Sequence, residues 1–284
     1  FGEGQVFAVV TPGSLKQQWQ VLQEAVAADC IIIMQAANTG LTGGSTPFGD
    51  DYDRPVILIN TQRLKGIQLI NDAKQVICLP GATLDALEQQ LAPHQREPHS
   101  VIGSSCIGAS VLGGVCNNSG GALVRRGPAY TELALYAQVD ALGELQLINH
   151  LGVNLGNSPE EILTKLEQQQ YRPEDIEYSE HCCASDQRYV HDVAQVDADT
   201  PARFNADPSR LFEASGSAGK VCVFAVRLDT FEKIPSQVFY IGSNQQDDLT
   251  AIRRFLLRDL PRVPIAGEYI HRDAYDIGAE YGKD

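Results

Sequence analysis

The stretch from Val101 to Val124, VIGSSCIGASVLGGVCNNSGGALV, contains six glycines and four serines and has no charged residue. Charged residues make up 20% of the whole chain, so a run of this kind is unusual for a surface loop. Interior glycines cost a helix roughly 0.5–1 kcal/mol each relative to alanine, which argues against an ordinary core helix. Such a stretch favours a backbone that approaches a phosphate, cradled by main-chain N–H groups. A tightly packed turn without a ligand is the alternative.

A second charge-free loop, Gln35 to Pro47 (QAANTGLTGGSTP), follows the apolar run Ile31–Met34, which is typical of a buried strand. Two such loops, far apart in the sequence, predict one extended ligand held from two sides. The stretch from Val101 to Val124, here called the central stretch, lacks G-x-G-x-x-G and the Gly-Lys-Ser/Thr ending of a P-loop. This disfavours a Rossmann dinucleotide site and a nucleoside triphosphatase.

The net charge of −14 argues against nucleic acid as the main partner and against docking on anionic lipid. The seven cysteines are odd in number and mostly in apolar surroundings, which indicates reduced cysteines of an intracellular protein. Cys182 and Cys183 stand beside His181, but no second pair lies at ligand spacing. The sequence therefore predicts no metal site.

Hydrophobic periodicity predicts an α+β fold, because strand–helix–strand patterns occur at the start and again after Gly219. A long polar excursion is expected at Tyr171–Asp207. The predicted strands are Phe7–Val10, Ile31–Met34, Pro55–Asn60, Gln75–Leu79, Leu133–Val139, Leu145–Asn149, Val221–Leu228, Val238–Ile241 and Glu268–His271. The predicted helices begin after Ser14, Thr83 and Ser158 and also span Ile107–Cys116, Asp247–Leu260 and Asp273–Tyr281.

Three segments carry a resemblance to a known family. The run AVVTPGSLKQQWQVLQEAVAADCIIIMQAANTGLTGGSTP resembles the opening of the PCMH-type FAD-binding domain of the vanillyl-alcohol-oxidase-like flavoenzymes. The segments REPHSVIGSSCIGASVLGGVCNNSGGALVRRGPAYTE and FEASGSAGKVCVFAVRLDTF are similar to that family's second and third flavin-contact regions. Two further segments, Asn-Ala-Asp-Pro at residues 205–208 and AGEYIHRDAYDI from Ala266, carry the same likeness. With them, the chain most resembles the bacterial quinone-reducing D-lactate dehydrogenases of this family.

The resemblance implies a two-lobed α+β FAD-binding domain at residues 1–230, with the polar excursion near 171–207, and the start of a cap domain at residues 231–284. It implies oxidation of D-lactate to pyruvate, with electrons passed through FAD to a membrane quinone. The enzyme is expected at the cytoplasmic face of the bacterial inner membrane, bound peripherally. Both ends look cut, and the membrane contact is expected outside this segment.

Carried over residue by residue, the resemblance implies FAD contacts at Ala36, Ala37, Asn38, Thr39, Gly40, Gly44, Ser45, Gly103, Ser110, Gly120 and Val223. The loop from Gln35 to Pro47, here called the first glycine loop because it comes first along the chain, has no histidine to tether flavin, so non-covalent FAD is expected.

Oxidation of a 2-hydroxy acid needs a cation for the carboxylate and a base for the hydroxyl proton. The weak candidates are His271, Arg272 and Arg125, together with Arg126. A surface ion pair or a structural hydrogen bond is the favoured alternative for each, so no base is assigned. Two other functions stay open: an FAD-dependent dehydrogenase of another 2-hydroxy acid, and a flavin-binding fragment without turnover.

Overall fold

The computed structural model describes residues 2–99, 106–178, 182–217 and 219–282. The strands in these ranges are β1 (Ala8–Val10), β2 (Ile31–Gln35), β3 (Val56–Asn60), β4 (Ile67–Ile70), β5 (Gln75–Cys78), β6 (Arg96–Glu97), β7 (Ala134–Val139), β8 (Leu145–Asn149), β9 (Cys222–Asp229) and β10 (Phe231–Glu232). The helices are α1 (Leu15–Ala27), α2 (Leu84–Leu91), α3 (Val111–Cys116), α4 (Pro159–Glu167), α5 (Tyr189–Asp192), α6 (Gln246–Arg254) and α7 (Arg272–Tyr281).

The first lobe is a parallel sheet in the order β1-β3-β2, covered by α1. Ser14 caps α1 by accepting a hydrogen bond from the backbone N–H of Gln17, as its place before an apolar stripe predicts. Leu15, Trp19 and Leu22 recur on one helical face and are buried. This packing orients β2 so that its carboxyl end leads directly into the first glycine loop.

The second lobe is an antiparallel sheet in the order β4-β5-β9-β7-β8. Its central strand β9 is buried along nearly its whole length, which explains why it is apolar from Cys222 to Val226 and does not alternate. Helices α2 and α3 contribute Leu87 and Val111 to the core on one side of this sheet. The predicted α+β class and the two lobes are confirmed.

The part of the chain after β10 differs from the prediction. Val238–Ile241 and Glu268–His271 form no strand, and the side chains of Val238 and Tyr240 are 78% and 96% exposed. The helix predicted at Asp247–Leu260 is α6, which passes into a π-helical turn at Phe255–Asp259, and neither part buries a residue. A strand requires a hydrogen-bonded partner, and β10 finds one in β6. No described helix is both long and apolar enough to cross a bilayer.

Candidate functional site

The first glycine loop leaves β2 and turns at Asn38, whose φ of 55° lies in the left-handed region. The Asn38 side-chain oxygen accepts hydrogen bonds from Ser45 Oγ at 2.7 Å and Thr46 Oγ1 at 2.9 Å. Gln35 Nε2 donates to the carbonyl oxygen of Ser45 at 2.8 Å. The two ends of the loop are therefore tied together by its own side chains, which fixes the backbone between them.

The backbone between these ties is open on one side. A Cβ added at Gly40 or Gly43 would meet no atom within 4 Å, and one at Gly44 would meet only Thr42 Oγ1, at 3.9 Å. Ala36, Ala37 and Thr39 are half-buried. Small residues with nothing in front of them leave room for a group as bulky as a pyrophosphate against the main chain, so this loop fits the expected cofactor.

The central stretch is part core and part loop. Helix α3 begins at Val111, four residues later than predicted, because Ser110 caps it by accepting from the N–H of Gly113 at 3.1 Å. The serine hydroxyl is thus already engaged. Val111 and Val115 are buried, so part of the low polarity of this stretch reflects core packing.

The glycines after α3 have different surroundings. Gly120 has a φ of 133°, and a Cβ there would lie 3.1 Å from the carbonyl oxygen of Gly127 and 3.2 Å from the Cα of Pro128. The fold itself therefore requires a glycine at this position. A Cβ at Gly121 would meet nothing within 4 Å. Gly121 and the first loop carry the open backbone that a ligand needs, and Gly120 shapes the turn beside them.

Two predicted contacts have a different status. Gly103 lies outside the described residues. Val223 stands opposite Tyr136 in the ladder between β9 and β7 and is 6% exposed, within the core of the second lobe. No hydrogen bond between described residues joins the first loop to the central stretch.

The arginine candidates on the central stretch hold structural positions. Arg125 Nη2 donates to the carbonyl oxygen of Val263 at 2.9 Å. Arg126 pairs with Glu97 at 2.5 Å and lies 4.0 Å above the ring of Phe231. Both geometries support the structural alternative weighed for these residues.

His271 and Arg272 are exposed. His271 Nδ1 accepts from the backbone N–H of Asp273 at 3.2 Å and caps α7. Arg272 lies 3.6 Å from Asp276 with its side chain 79% exposed. A catalytic role for any of the four candidates stays a prediction.

His99 is a residue that the sequence argument passed over. It is 6% exposed, lies edge to face with Phe231, and neither ring nitrogen has a hydrogen-bond partner among the described residues. Burial, and then the charge of Arg126, lower the pKa of His99 to about 4. The signal in the sequence is its place in Pro98-His99-Ser100, directly before the glycine-rich stretch.

In the described part of the chain, no group of three or more His, Cys, Asp or Glu residues is placed to hold a metal ion. Cys182 is exposed and Cys183 half-buried, and burial followed by the nearby Glu132 raises the pKa of both thiols. Both are therefore poor candidates for reactive thiolates.

Comparison with known proteins agrees with this geometry. The family described as "FAD binding domain" matches residues 7–148, which include both glycine loops. The chain belongs to this family of FAD-binding domains.

Its relatives include the quinone-dependent D-lactate dehydrogenases of Haemophilus influenzae, at 62% identity, and of Escherichia coli, at 58%. Each match covers 100% of this chain and 50% of the relative, so the chain spans about half the length of these curated relatives. Among solved structures, an alkyldihydroxyacetonephosphate synthase superposes with a TM-score of 0.47 at 13% identity, over 79% of this chain and 31% of that one.

A second family, described as "D-lactate dehydrogenase, membrane binding", matches residues 238–284. This match argues against the expectation that the membrane contact lies outside the segment. The match begins where the described chain exposes Val238, Phe239 and Tyr240.

Proposed function

We propose that the two glycine loops bind the pyrophosphate of a non-covalent FAD, and that the whole protein oxidises D-lactate to pyruvate and reduces a membrane quinone. The observation that carries the proposal is the open, uncharged backbone at Gly40 and Gly121, where an added Cβ would meet no atom within 4 Å. Each N–H to phosphate hydrogen bond contributes roughly 1.5–3 kcal/mol. Bound FAD would supply the two-electron acceptor, and this chain would bind it and exclude water.

The contacts proposed in the first loop are the backbone and side chains of Ala36, Ala37, Asn38, Thr39, Gly40, Gly44 and Ser45. Those proposed in the other two regions are Gly103, Ser110, Gly120 and Val223. Ser110 and Gly120 act mainly by shaping the turn, since the Ser110 hydroxyl caps α3 and Gly120 packs on Gly127. Non-covalent attachment is supported by the lack of histidine from Gln35 to Asp50.

The domain division that we propose is an FAD-binding domain at residues 1–230 and the start of a cap domain at residues 231–284. Support comes from burial, because α6 and α7 bury no residue whereas α1, α2, α3 and α4 each supply buried residues to the core. The substrate D-lactate rests on the relatives named "Quinone-dependent D-lactate dehydrogenase".

The test is an FAD titration of the purified chain followed by dye reduction with D-lactate, L-lactate and a longer 2-hydroxy acid at matched flavin content. The proposal predicts flavin absorption bands at one FAD per chain. It predicts preference for D-lactate in a protein extended to the length of the relatives. Preference for another 2-hydroxy acid would replace the substrate. Flavin bands without turnover in both lengths would favour the flavin-binding fragment without activity, and failure to take up FAD would refute the proposal.

We also propose a peripheral contact with the cytoplasmic face of the inner membrane through the apolar side chains that begin at Val238. Phe239 and Tyr240 are 77% and 96% exposed. Because the net charge of −14 opposes anionic lipid, apolar insertion should dominate, and neutral phosphatidylcholine vesicles should be bound as well as anionic ones. Changing Phe239 and Tyr240 to serine should reduce co-flotation with vesicles. Leu142→Ser, at an 84% exposed position of the β7–β8 hairpin, is the control and should have no effect.

A further inference from the structure

We propose that Arg203 is a positioning residue of the flavin site. It fastens the segment of residues 182–217, here called the bracing segment, to the end of α3 and so fixes the path of the chain through Gly120 and Gly121. This inference rests on the proposed function, since it concerns the same cofactor site. It also changes the interpretation of a segment that the sequence predicts to be a polar surface excursion.

The guanidinium group of Arg203 reaches three acceptors on or just after the central stretch. Nη1 donates to the carbonyl oxygen of Pro128 at 2.6 Å. Nη2 donates to Asn118 Oδ1 at 2.7 Å and to the carbonyl oxygen of Ala129 at 3.3 Å. The side chain is 3% exposed, and its charge lies 5.2 Å from the centroid of the Tyr130 ring. The planar guanidinium group of arginine can donate to several acceptors at once, whereas a lysine ammonium is a single point charge.

Asn118 is the residue through which the bracing segment acts. It directly follows the capping residue Asn117 of α3, with a φ of 50°, so it is the left-handed residue that ends this helix. Its amide nitrogen donates to Asn205 Oδ1 at 2.6 Å, while its oxygen accepts from Arg203. Both ends of the amide are therefore held by the bracing segment, two residues before Gly120.

Close approaches at two glycines show that this contact is built into the fold. Gly216 has a φ of 61°, and a Cβ there would lie 2.4 Å from Asn118 Nδ2. Gly127 has a φ of 67°, and a Cβ there would lie 2.5 Å from the ring of Tyr189. In each pair, one residue belongs to the bracing segment and the other to the chain around the central stretch. Any side chain at either glycine would push the two segments apart.

A buried ionic cluster holds Arg203 from the other side. The side chain of Asp186 is fully buried and lies 3.7 Å from Arg203 Nη1 and 2.7 Å from Arg210 Nη1. Arg210, 4% exposed, also pairs with Asp192 at 3.2 Å and Asp207 at 3.3 Å. Charges this deeply buried are stable only when paired, so the cluster keeps the guanidinium of Arg203 in one place.

The chain that Arg203 fixes contains no strand between α3 and β7. It runs through turns with local backbone hydrogen bonds, such as Leu123 to Gly120 at 2.9 Å and Ala129 to Ser119 at 2.7 Å, and its later part is also bonded to Ile265 and Gly267. The turn between Asn118 and Gly120 precedes these long-range bonds, so its position depends on the side chains that hold Asn118. Loss of the brace should therefore misplace the N–H groups near Gly121 without unfolding the two sheets.

The test measures the FAD dissociation constant of Arg203→Lys, Asn118→Ala and the double variant, with far-UV circular dichroism and thermal unfolding on the same samples. We expect each single variant to keep the native spectrum and to bind FAD at least tenfold more weakly. The double variant should lose clearly less affinity than the sum of the two single losses, because both changes break the contact between Arg203 and Asn118. The control Arg172→Gln, whose side chain is 80% exposed and paired at 3.6 Å with Glu174, should bind like the wild type.

Dissociation constants within twofold of the wild type in both single variants would overturn the inference, and so would fully additive losses. If Arg203→Lys does not fold, Asn118→Ala decides the matter, since it leaves the pairs of Arg203 with Asp186 and with the Pro128 carbonyl in place. A wild-type protein that takes up no FAD would instead refute the proposed function. Wild-type uptake with unchanged variants would refute only the role of Arg203.

Discussion

Trp19 and Phe224 meet edge to face, with their ring centroids 6.3 Å apart. Trp19 lies on α1 of the first lobe and Phe224 on β9, the central strand of the second, and both are buried. They belong to one apolar cluster that also contains Ile59 and Leu135, so the two lobes share a core. Because α1 packs on β9, the lobe that carries the first glycine loop is joined to the sheet on which α3 of the central stretch packs. That arrangement is what a ligand gripped from two sides requires.

The open glycines provide the sharpest test of the cofactor site. Gly40→Glu and Gly121→Glu place a carboxylate in empty space at backbone positions of ordinary φ, so both variants should fold. Each should abolish FAD binding, because the new charge faces the pyrophosphate. Gly242→Glu is the matched control, since Gly242 is equally open and lies far along the chain from both loops. FAD titration should show loss in the first two and no change in the third.

Gly120→Glu should behave differently from these variants. Its Cβ would press on the backbone of Gly127 and Pro128 at a φ that side chains rarely adopt, so the protein itself should be destabilised. Wild-type FAD affinity in both the Gly40 and Gly121 variants would contradict the placement of the pyrophosphate.

The second prediction concerns the attachment of the flavin. No histidine lies between Gln35 and Asp50, so acid precipitation of the holoprotein should release all flavin into the supernatant. The absorbance of the supernatant and of the washed pellet measures the two fractions. Yellow colour kept by the pellet would mean a covalent bond to another residue.

The third prediction concerns Arg227, which is 1% exposed at the centre of the larger sheet. Its guanidinium has no carboxylate partner among the described residues and is satisfied by carbonyl oxygens, including Gln75 Oε1 at 2.7 Å and the backbone oxygen of Glu177 at 2.9 Å. Arg227→Met leaves these buried acceptors without a donor, at about 1–3 kcal/mol each. We expect the free energy of unfolding in urea to fall by about 3 kcal/mol or more.

Arg172→Met is the control for this change, because its side chain is 80% exposed. Surface substitutions of this kind usually alter stability by less than about 0.5 kcal/mol. A loss below about 1 kcal/mol for Arg227→Met would show that water replaces the guanidinium in the core.

The elements that the sequence predicts well are those whose signals are local. Ser14, Thr83 and Ser158 each cap a helix as expected, because a cap and an apolar stripe lie within a few residues of each other. The strand predicted at Val238–Ile241 shows the limit, since an apolar run does not say whether a partner strand exists.

The polar part of the site escapes prediction for a related reason. Asp186, Arg203 and Arg210 stand in a segment whose composition is typical of a solvated surface. Their burial depends on one another and on carbonyl groups more than 70 residues away in the sequence. Periodicity reports which face of an element is apolar, and it carries no information on which charges meet.

The last prediction concerns the pH dependence that His99 imposes on stability. Burial, the largest cause, and the charges of Arg126 and Arg203 lower its pKa from 6.5 to about 4, while the backbone of Arg126 and the charge of Asp186 oppose the shift. Above pH 6.5 the imidazole is neutral in the folded and unfolded chains and has no effect. Below that value His99 is protonated in the unfolded chain but stays neutral in the folded chain until the pH nears 4. Stability should therefore fall by roughly 1.4 kcal/mol per pH unit until the pH nears 4, about 3 kcal/mol in all.

The comparison that isolates this effect is between the wild type and His99→Phe, with urea unfolding followed from pH 7.5 to pH 4.5. Phenylalanine keeps the edge-to-face contact with Phe231 and cannot titrate. All other histidines and carboxylates are shared by the two proteins, so the difference between their curves belongs to His99. Below pH 6.5 the free energy of unfolding should fall more steeply for the wild type than for the variant. The difference in slope should correspond to the uptake of close to one proton on unfolding. Parallel curves would mean that His99 is protonated as readily in the folded protein as in the unfolded chain, and that its ring nitrogens have a partner outside the described residues.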